Sequence, residues 1–469
     1  MKIYHAIAIG LLGCFLSGCT KHPEIENQVA DAKQDLISKT ETSEVENKKS
    51  NEQVLVKNPA NRCSSTIPML CSQEPFSPDF SNLPNPVTLP ALQHDFDVFS
   101  WNLFVAINWP AKANGTADTS VMIGEKSGAQ TVWQSYKESR DIFLPDGAKP
   151  LAWGVANPAP KACGDTGGLP VLSQVGKTPN VLDESGEPFQ TGPLIDQNGL
   201  YARFAILTNM QMFDYIVENK LYSKSGQVAF AGDADFPFST DSQPGAIMIK
   251  SAWKIMGADD KPALFHTTKA FVYDNPHEYA GVKAACSLQT VGLVGLHMAT
   301  KTQGDLQWTW STFEHVDNVP TKGQTQAQNV HYNFYKPNCG DCTAVNTPPP
   351  RPWDPATPHT QPSQIERVIP IDAPTIALNT SYQTALKTAV PGSVWANYEL
   401  VSTQWPTDPN SVSDPTGVPA PTFLANTTLE SYIQGSIRQI SSSCIQCHNN
   451  AAMTNGKFSD FTYLLQRAQ

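Results

Sequence analysis

Charge is scarce in this chain. Only 16% of its 469 residues are Asp, Glu, Lys or Arg, against 40% hydrophobic. That balance excludes the composition of a disordered chain and leaves enough apolar side chains for a sizeable core. Basic residues are the scarcer sign: 32 Lys plus Arg stand against 43 Asp plus Glu, a net charge of -11. A nucleic-acid partner calls for a Lys/Arg-rich face, so no nucleic-acid partner is expected. Glycine (29) is outnumbered by proline (38), which predicts long irregular connections and argues against a helical bundle. Also missing are a Gly-rich phosphate loop, a G-x-S-x-G elbow and any internal repeat of fixed period.

What is present begins with the N-terminus. Met1-Lys2 is a minimal basic start, and 3–15 is an apolar run of thirteen residues, too short to span a bilayer as a mature helix. It suits the h-region of an export signal. The run ends in Leu16-Ser17-Gly18-Cys19, which resembles the lipobox of bacterial lipoproteins. That resemblance implies removal of 1–18 as a signal peptide and a lipid on Cys19 that anchors the chain to a membrane. Thr20 stands where an Asp often retains such proteins at the inner membrane, so the outer membrane is favoured, with the body facing the periplasm or the cell surface. Residues 19–60 are polar and nearly free of aromatics, with no apolar stripe to bury, and read as a flexible tether.

The one strong motif is Cys444-Ile445-Gln446-Cys447-His448, a C-x-x-C-H run of the kind that attaches haem c covalently. Two thiols three positions apart lie about one helical turn from each other and reach the vinyl groups of one porphyrin edge. The adjacent His448 then turns its imidazole under the iron as the proximal ligand. Chance supplies roughly 0.005 such matches in a chain of this composition. Half of a zinc site is the competing assignment, but no second Cys or His pair stands nearby to complete it. A structural disulfide between Cys444 and Cys447 is the other.

Ten cysteines are present. With Cys14 in the signal, Cys19 lipidated and Cys444 and Cys447 on haem, six remain: Cys63, Cys71, Cys163, Cys286, Cys339 and Cys342. Three disulfides are expected of an exported chain, with connectivity open. The locally cheap pairs are Cys63 with Cys71 and Cys339 with Cys342. The second C-x-x-C precedes Thr343, not a histidine, and reads as a loop disulfide.

The body, 61–426, mixes helix and strand. The pattern predicts helices over 96–109, 131–143 and 210–222, and strands over 201–207, 246–253, 264–273, 290–302, 307–316 and 394–405. A Pro-rich loop occupies about 343–375. The expected fold class is α+β, an antiparallel sheet with flanking helices. Residues 427–469 form the haem attachment segment: a capping-box spacing Thr427-x-x-Glu430 opens a helix over 429–433, a second helix carries the motif, and a third covers the porphyrin with Phe461, Leu464 and Leu465.

The distal side of the iron is expected to be served from the body, since Met453 lies only five residues beyond His448. His297 and His315 are the two candidates. On a strand His297 and Met298 point to opposite faces, so at most one of that pair serves.

Three further stretches resemble a family of exported bacterial proteins identified as cytochrome c family. They are 101–110, which opens Trp101-Asn102-Leu103-Phe104; 308–318, which contains Trp308-Thr309-Trp310 and Glu314-His315-Val316-Asp317; and 395–401, which opens Trp395-Ala396-Asn397-Tyr398. The resemblance covers most of 95–469 and implies one covalent haem on Cys444, Cys447 and His448. It supplies no substrate. The leading expectation is a monohaem c-type cytochrome carrying single electrons between redox partner proteins or small-molecule donors and acceptors in the envelope. The alternative is a haem-dependent, peroxidase-like oxidoreductase with an open distal site, for which Glu314, His315 and Asp317 are the first acid/base candidates. No catalytic residue is assigned.

Overall fold

In a computed structural model of the chain, the residues described are 67–80, 89–173, 192–274, 281–305, 307–324, 330–350, 360–408, 419–435 and 443–469. They belong to one compact unit spanning Val54–Gln469. The signal, Cys19 and the whole of the tether lie outside them.

The fold is α+β. A nine-stranded sheet runs in the order β1 (Lys137–Glu138), β3 (Arg203–Thr208), β4 (Ile247–Ile255), β6 (Ala285–Thr300), β7 (Thr309–His315), β8 (Tyr398–Pro406) and β9 (Pro419–Ala420). β5 (Thr267–Asp274) pairs with the first half of β6, and β2 (Val171–Leu172) pairs with β5. Every pairing is antiparallel except β2 with β5. Gly292 is paired with both Lys254 of β4 and Thr267 of β5, while Gly295 is paired with Ala252 of β4 and Glu314 of β7. β5 and β7 therefore lie end to end along one edge of the sixteen-residue β6.

Helix α1 (Leu89–Ile107) lies across one face. Its residues Phe96, Trp101, Phe104 and Ile107 are fully buried, and Ser100 Oγ lies 2.6 Å from both Ser311 Oγ of β7 and Thr403 Oγ1 of β8. A second long helix packs beside it. Trp101 stacks on Tyr382 with ring centroids 4.8 Å apart and donates its indole N–H to Asn379 Oδ1 at 2.8 Å. Burial of one such aromatic side chain stabilises by about 3 kcal/mol. Asp97 joins all three elements, accepting from Thr375 Oγ1 and from the Thr403 amide, and burial pushes its carboxyl up to about 6.

Several expected elements take another form. The expected helix over 131–143 is a series of 3-10 turns with strand β1 among them. The second long helix, Ala373–Ala389, was not expected. Its buried stripe of Thr375, Leu378, Asn379, Tyr382 and Leu386 is half polar, so no apolar period marks it. Residues 394–397 form a 3-10 turn before β8 begins. Two short helices complete the order before it, α2 (Met210–Glu218) and α3 (Lys224–Ala229), so Ala373–Ala389 is α4.

Disulfides join Cys163 to Cys286 and Cys339 to Cys342. The second is the expected loop disulfide; the first spans 123 residues and ties the turn at 161–163 to the start of β6. Cys71 is also disulfide-bonded, and Cys63 lies outside the described residues.

Candidate functional site

The face of the sheet opposite α1 holds the C-x-x-C-H motif. Residues opposed across antiparallel neighbours share a face, and alternate residues along a strand return to it. Three ranks of side chains follow. One is Met248, Ala299, Trp310 and Gln404; the next is Lys250, His297, Thr312 and Ser402; the third is Ala252, Gly295, Glu314 and Glu399.

The motif segment covers the first rank. Helix α5 (Cys444–His448) buries Ile445, whose amide donates to Gln404 Oε1 at 2.9 Å. The Cys447 amide donates to Ser443 O at 2.8 Å, so the two cysteines sit one turn apart on one side of the helix. Both are half-buried thiols, whereas the same C-x-x-C spacing at Cys339 and Cys342 is closed into a disulfide. The imidazole of His448 lies between Trp310 and Tyr463, with ring centroids 4.5 Å and 5.2 Å away.

His448 Nδ1 is 2.7 Å from the carbonyl oxygen of Phe461. A carbonyl only accepts, so Nδ1 carries a proton; in the neutral ring the lone pair then lies on Nε2, the tautomer a metal-binding imidazole requires. The carbonyl is in turn held in place. Asp460 and Phe461 both adopt left-handed backbone, with φ of 52° and 57°, and Trp308 does so at 67°. Left-handed geometry is costly for such residues and persists only where surrounding contacts enforce it. The enforcing contacts converge on the buried Asp460 carboxylate. Lys301 Nζ approaches it at 2.7 and 2.9 Å, Trp308 Nε1 donates at 3.1 Å and the Phe236 amide at 2.7 Å. Burial nevertheless raises the Asp460 carboxyl above the usual range, the Lys301 ammonium only partly opposing it.

The segment 426–430 covers the third rank. A Cβ on Gly295 would lie 2.1 Å from Thr428 Oγ1, so this glycine is what allows the segment to approach β6. The expected helix here is a run of turns. Asn426, not Thr427, takes the capping position: its side chain accepts from the Thr428 amide at 2.9 Å and its amide donates to Glu430 Oε2 at 3.0 Å. Thr427 instead bonds Glu314, its amide donating to Oε1 at 2.6 Å. Buried Glu314 also pairs with Arg367 at 2.9 Å, and Arg367 reaches Glu399 at 3.4 Å. Burial raises Glu399 to about 7, with Arg367 opposing the shift and Glu314 adding to it. These contacts make Glu314 a structural carboxylate.

Of the two distal candidates, only His297 lies on the motif's face, in the middle rank between the two segments. Its Nε2 is 3.0 Å from both oxygens of Glu430. His315, the neighbour of Glu314 on β7, faces the other side. Its Nε2 lies 3.0 Å from Leu264 O, its Nδ1 accepts from the Asp317 amide at 3.1 Å, and its ring stacks on Phe265 at 4.0 Å. Burial lowers its pKa to about 4. Met298 points into the core beneath α1, while Met453 is buried in the cluster around Ile445.

The donor set fits a haem c. Two thiols one turn apart and one imidazole with a fixed tautomer meet in an apolar surround of Trp310, Ile445, Met453, Phe461 and Leu464. Among the described residues no group of three or more His, Cys, Asp and Glu side chains is placed to hold a bare metal ion. A porphyrin iron, by contrast, asks the protein only for axial ligands. The sequence names the thiols and His448 as candidates and gives no sign of the contacts among Lys301, Trp308 and Asp460. The Trp308-Thr309-Trp310 phrase marked the place, but its contact with Asp460 depends on a chain reversal that no period signals. Against protein-family models, curated proteins and solved structures, the chain shows no match.

Proposed function

We propose that the chain is a monohaem c-type cytochrome that carries single electrons between redox partners of the cell envelope, anchored by a lipid on Cys19. The observation that carries this reading is the bond from His448 Nδ1 to Phe461 O beside two thiols at C-x-x-C spacing. When bound, haem c supplies one-electron iron chemistry at a potential set by its axial ligands and its burial. Cys444 and Cys447 would hold the porphyrin against loss, and His448 Nε2 would bind its iron. Trp310, Ile445 and Phe461 keep water from that side.

A second reading is favoured by one observation: the Nε2 of His297 is held by Glu430, and both nitrogens of His315 are engaged by backbone. A distal bond from His297 needs the Glu430 contact exchanged. Without that exchange neither candidate histidine would bind the iron, which favours a haem-dependent oxidoreductase.

The test is a haem stain of the denatured, envelope-matured chain, then oxidised and reduced spectra with and without carbon monoxide. Haem that stays on the denatured wild type and is lost in Cys444→Ala with Cys447→Ala is the expected result. A denatured chain without haem, its two thiols open to alkylation, refutes the proposal. A low-spin spectrum unmoved by carbon monoxide supports the electron carrier, and a shifted spectrum moves the assignment to the oxidoreductase.

A further inference from the structure

A cleft of about 470 Å³ opens elsewhere in the molecule, walled by the segment 69–77, the turn at 114–117, Tyr136, Trp153, the start of α2 and the loop 239–244. Three features of it point to a ligand. First, Glu74 lines the cleft with a half-used carboxylate: Oε1 accepts from Tyr136 Oη at 3.0 Å, whereas Oε2 is buried with no hydrogen-bond partner. A buried acceptor left unmade costs free energy, so this carboxyl is a polar group that calls for a donor. Burial raises the carboxyl above its ordinary range and pushes the Tyr136 phenol up as well.

Second, the described lining carries no Lys, Arg, His or Asp, so nothing there neutralises an anion. It is instead dense in neutral hydrogen-bonding groups, among them Ser72, Gln73, Asn114, Thr116, Gln211 and Thr240. Third, the wall holds a flat apolar surface. Trp153 is half-buried, its ring 5.7 Å from that of Phe213, which steadies it. An aromatic plate beside many hydroxyl and amide groups suits a molecule with one apolar face and a rim of hydroxyls. The segment carrying Glu74 is pinned nearby, since Cys71 is disulfide-bonded and the Gln303 amide donates to Ser77 Oγ at 3.2 Å.

We propose that this cleft binds a neutral polyhydroxylated molecule of mono- to disaccharide size, its hydroxyls met by the neutral polar wall and the Glu74 carboxyl, with a ring face resting on Trp153. An organic cation satisfies the carboxylate but leaves the neutral polar wall unused, which is why the polyol is preferred. The site stands on its own geometry and does not depend on the haem assignment.

The test is calorimetric titration of the full chain with glucose, maltose, cellobiose and, as the competing class, choline. Saturable heat with at least one sugar is expected, weakened at least about tenfold in Glu74→Ala and in Trp153→Ala. Ser242→Trp, at an exposed lip of the cleft, blocks the same binding without touching the core, so a misfolded Glu74 variant does not stall the test. No saturation by any sugar up to about 50 mM overturns the proposal. Binding of choline alone does so as well, as does sugar binding undiminished by Ser242→Trp.

Discussion

Asp460→Asn isolates the charge that holds the Phe461 carbonyl over His448. Asparagine is the residue that best tolerates left-handed backbone, so the φ of 52° adds no new strain, and its Oδ1 still accepts from Phe236 or Trp308. What is lost is the ion pair with Lys301, a side chain only 1% exposed. Removing one partner of a buried pair costs about 3–5 kcal/mol, because the other charge stays behind uncompensated. Lys301 also reaches the exposed Asp235 at 3.4 Å, which places the cost near the lower end. For a body of this size, about 3 kcal/mol moves the urea midpoint down by about 1 M. The double variant Lys301→Met with Asp460→Asn removes both charges and is expected to recover most of that loss. Urea denaturation followed by tryptophan fluorescence measures all three proteins. A midpoint for Asp460→Asn within about 0.2 M of wild type, or a double variant worse than the single, refutes the assignment of Asp460 as the anchor of this loop.

Three further expectations are open to measurement. Gly295→Ala drives a methyl against Thr428 and is expected to cost about 1–3 kcal/mol in urea unfolding while loosening 426–430, read as faster amide exchange there. Replacing Cys163 and Cys286 together by Ala should cost about 3 kcal/mol more than replacing Cys339 and Cys342, because the first bridge closes a far longer loop of the unfolded chain. His266 is buried against Trp395 and its pKa is lowered to about 3 by burial. The unfolded chain therefore takes up a proton below about pH 6.5 that the folded chain refuses, and stability falls as pH drops from 6.5 toward 3. Buried carboxyls such as Asp97, raised to about 6, act the other way. The check is thus a difference: between pH 7.5 and 4.5, His266→Gln should lose less stability than wild type.

Much of the sheet was legible in the sequence because its central strands are β-branched and aromatic runs bounded by Asp, Gly and Pro. β4, β6 and β7 fall within a few residues of their expected places, apart from an earlier start of β6 at Ala285. The helix α4 was hidden because it meets α1 and β8 through Thr375, Asn379 and Tyr382, whose hydrogen bonds do the work that a leucine stripe does elsewhere. The site was legible as far as chemistry written in adjacent residues: the two thiols and His448. What fixes the tautomer of His448 lies thirteen residues on, at Phe461, and 159 residues from Asp460 to Lys301, which only the folded chain brings together. The Cys163–Cys286 pairing was beyond reach for the same reason.

The docking of the motif on Met248, Trp310 and Gln404 also sets an order of events during synthesis. Strands β1 to β8 precede α5 in the chain, so they are able to pair before the motif exists. Until Ile445 and Phe461 arrive, one face of the sheet leaves Trp308, Trp310 and Met248 open to water, an apolar patch of the kind chaperones retain and proteases sample. Arrival of the motif closes that patch and orients His448 in the same act. A chain interrupted before residue 443 leaves that patch uncovered and is therefore expected to be held or degraded.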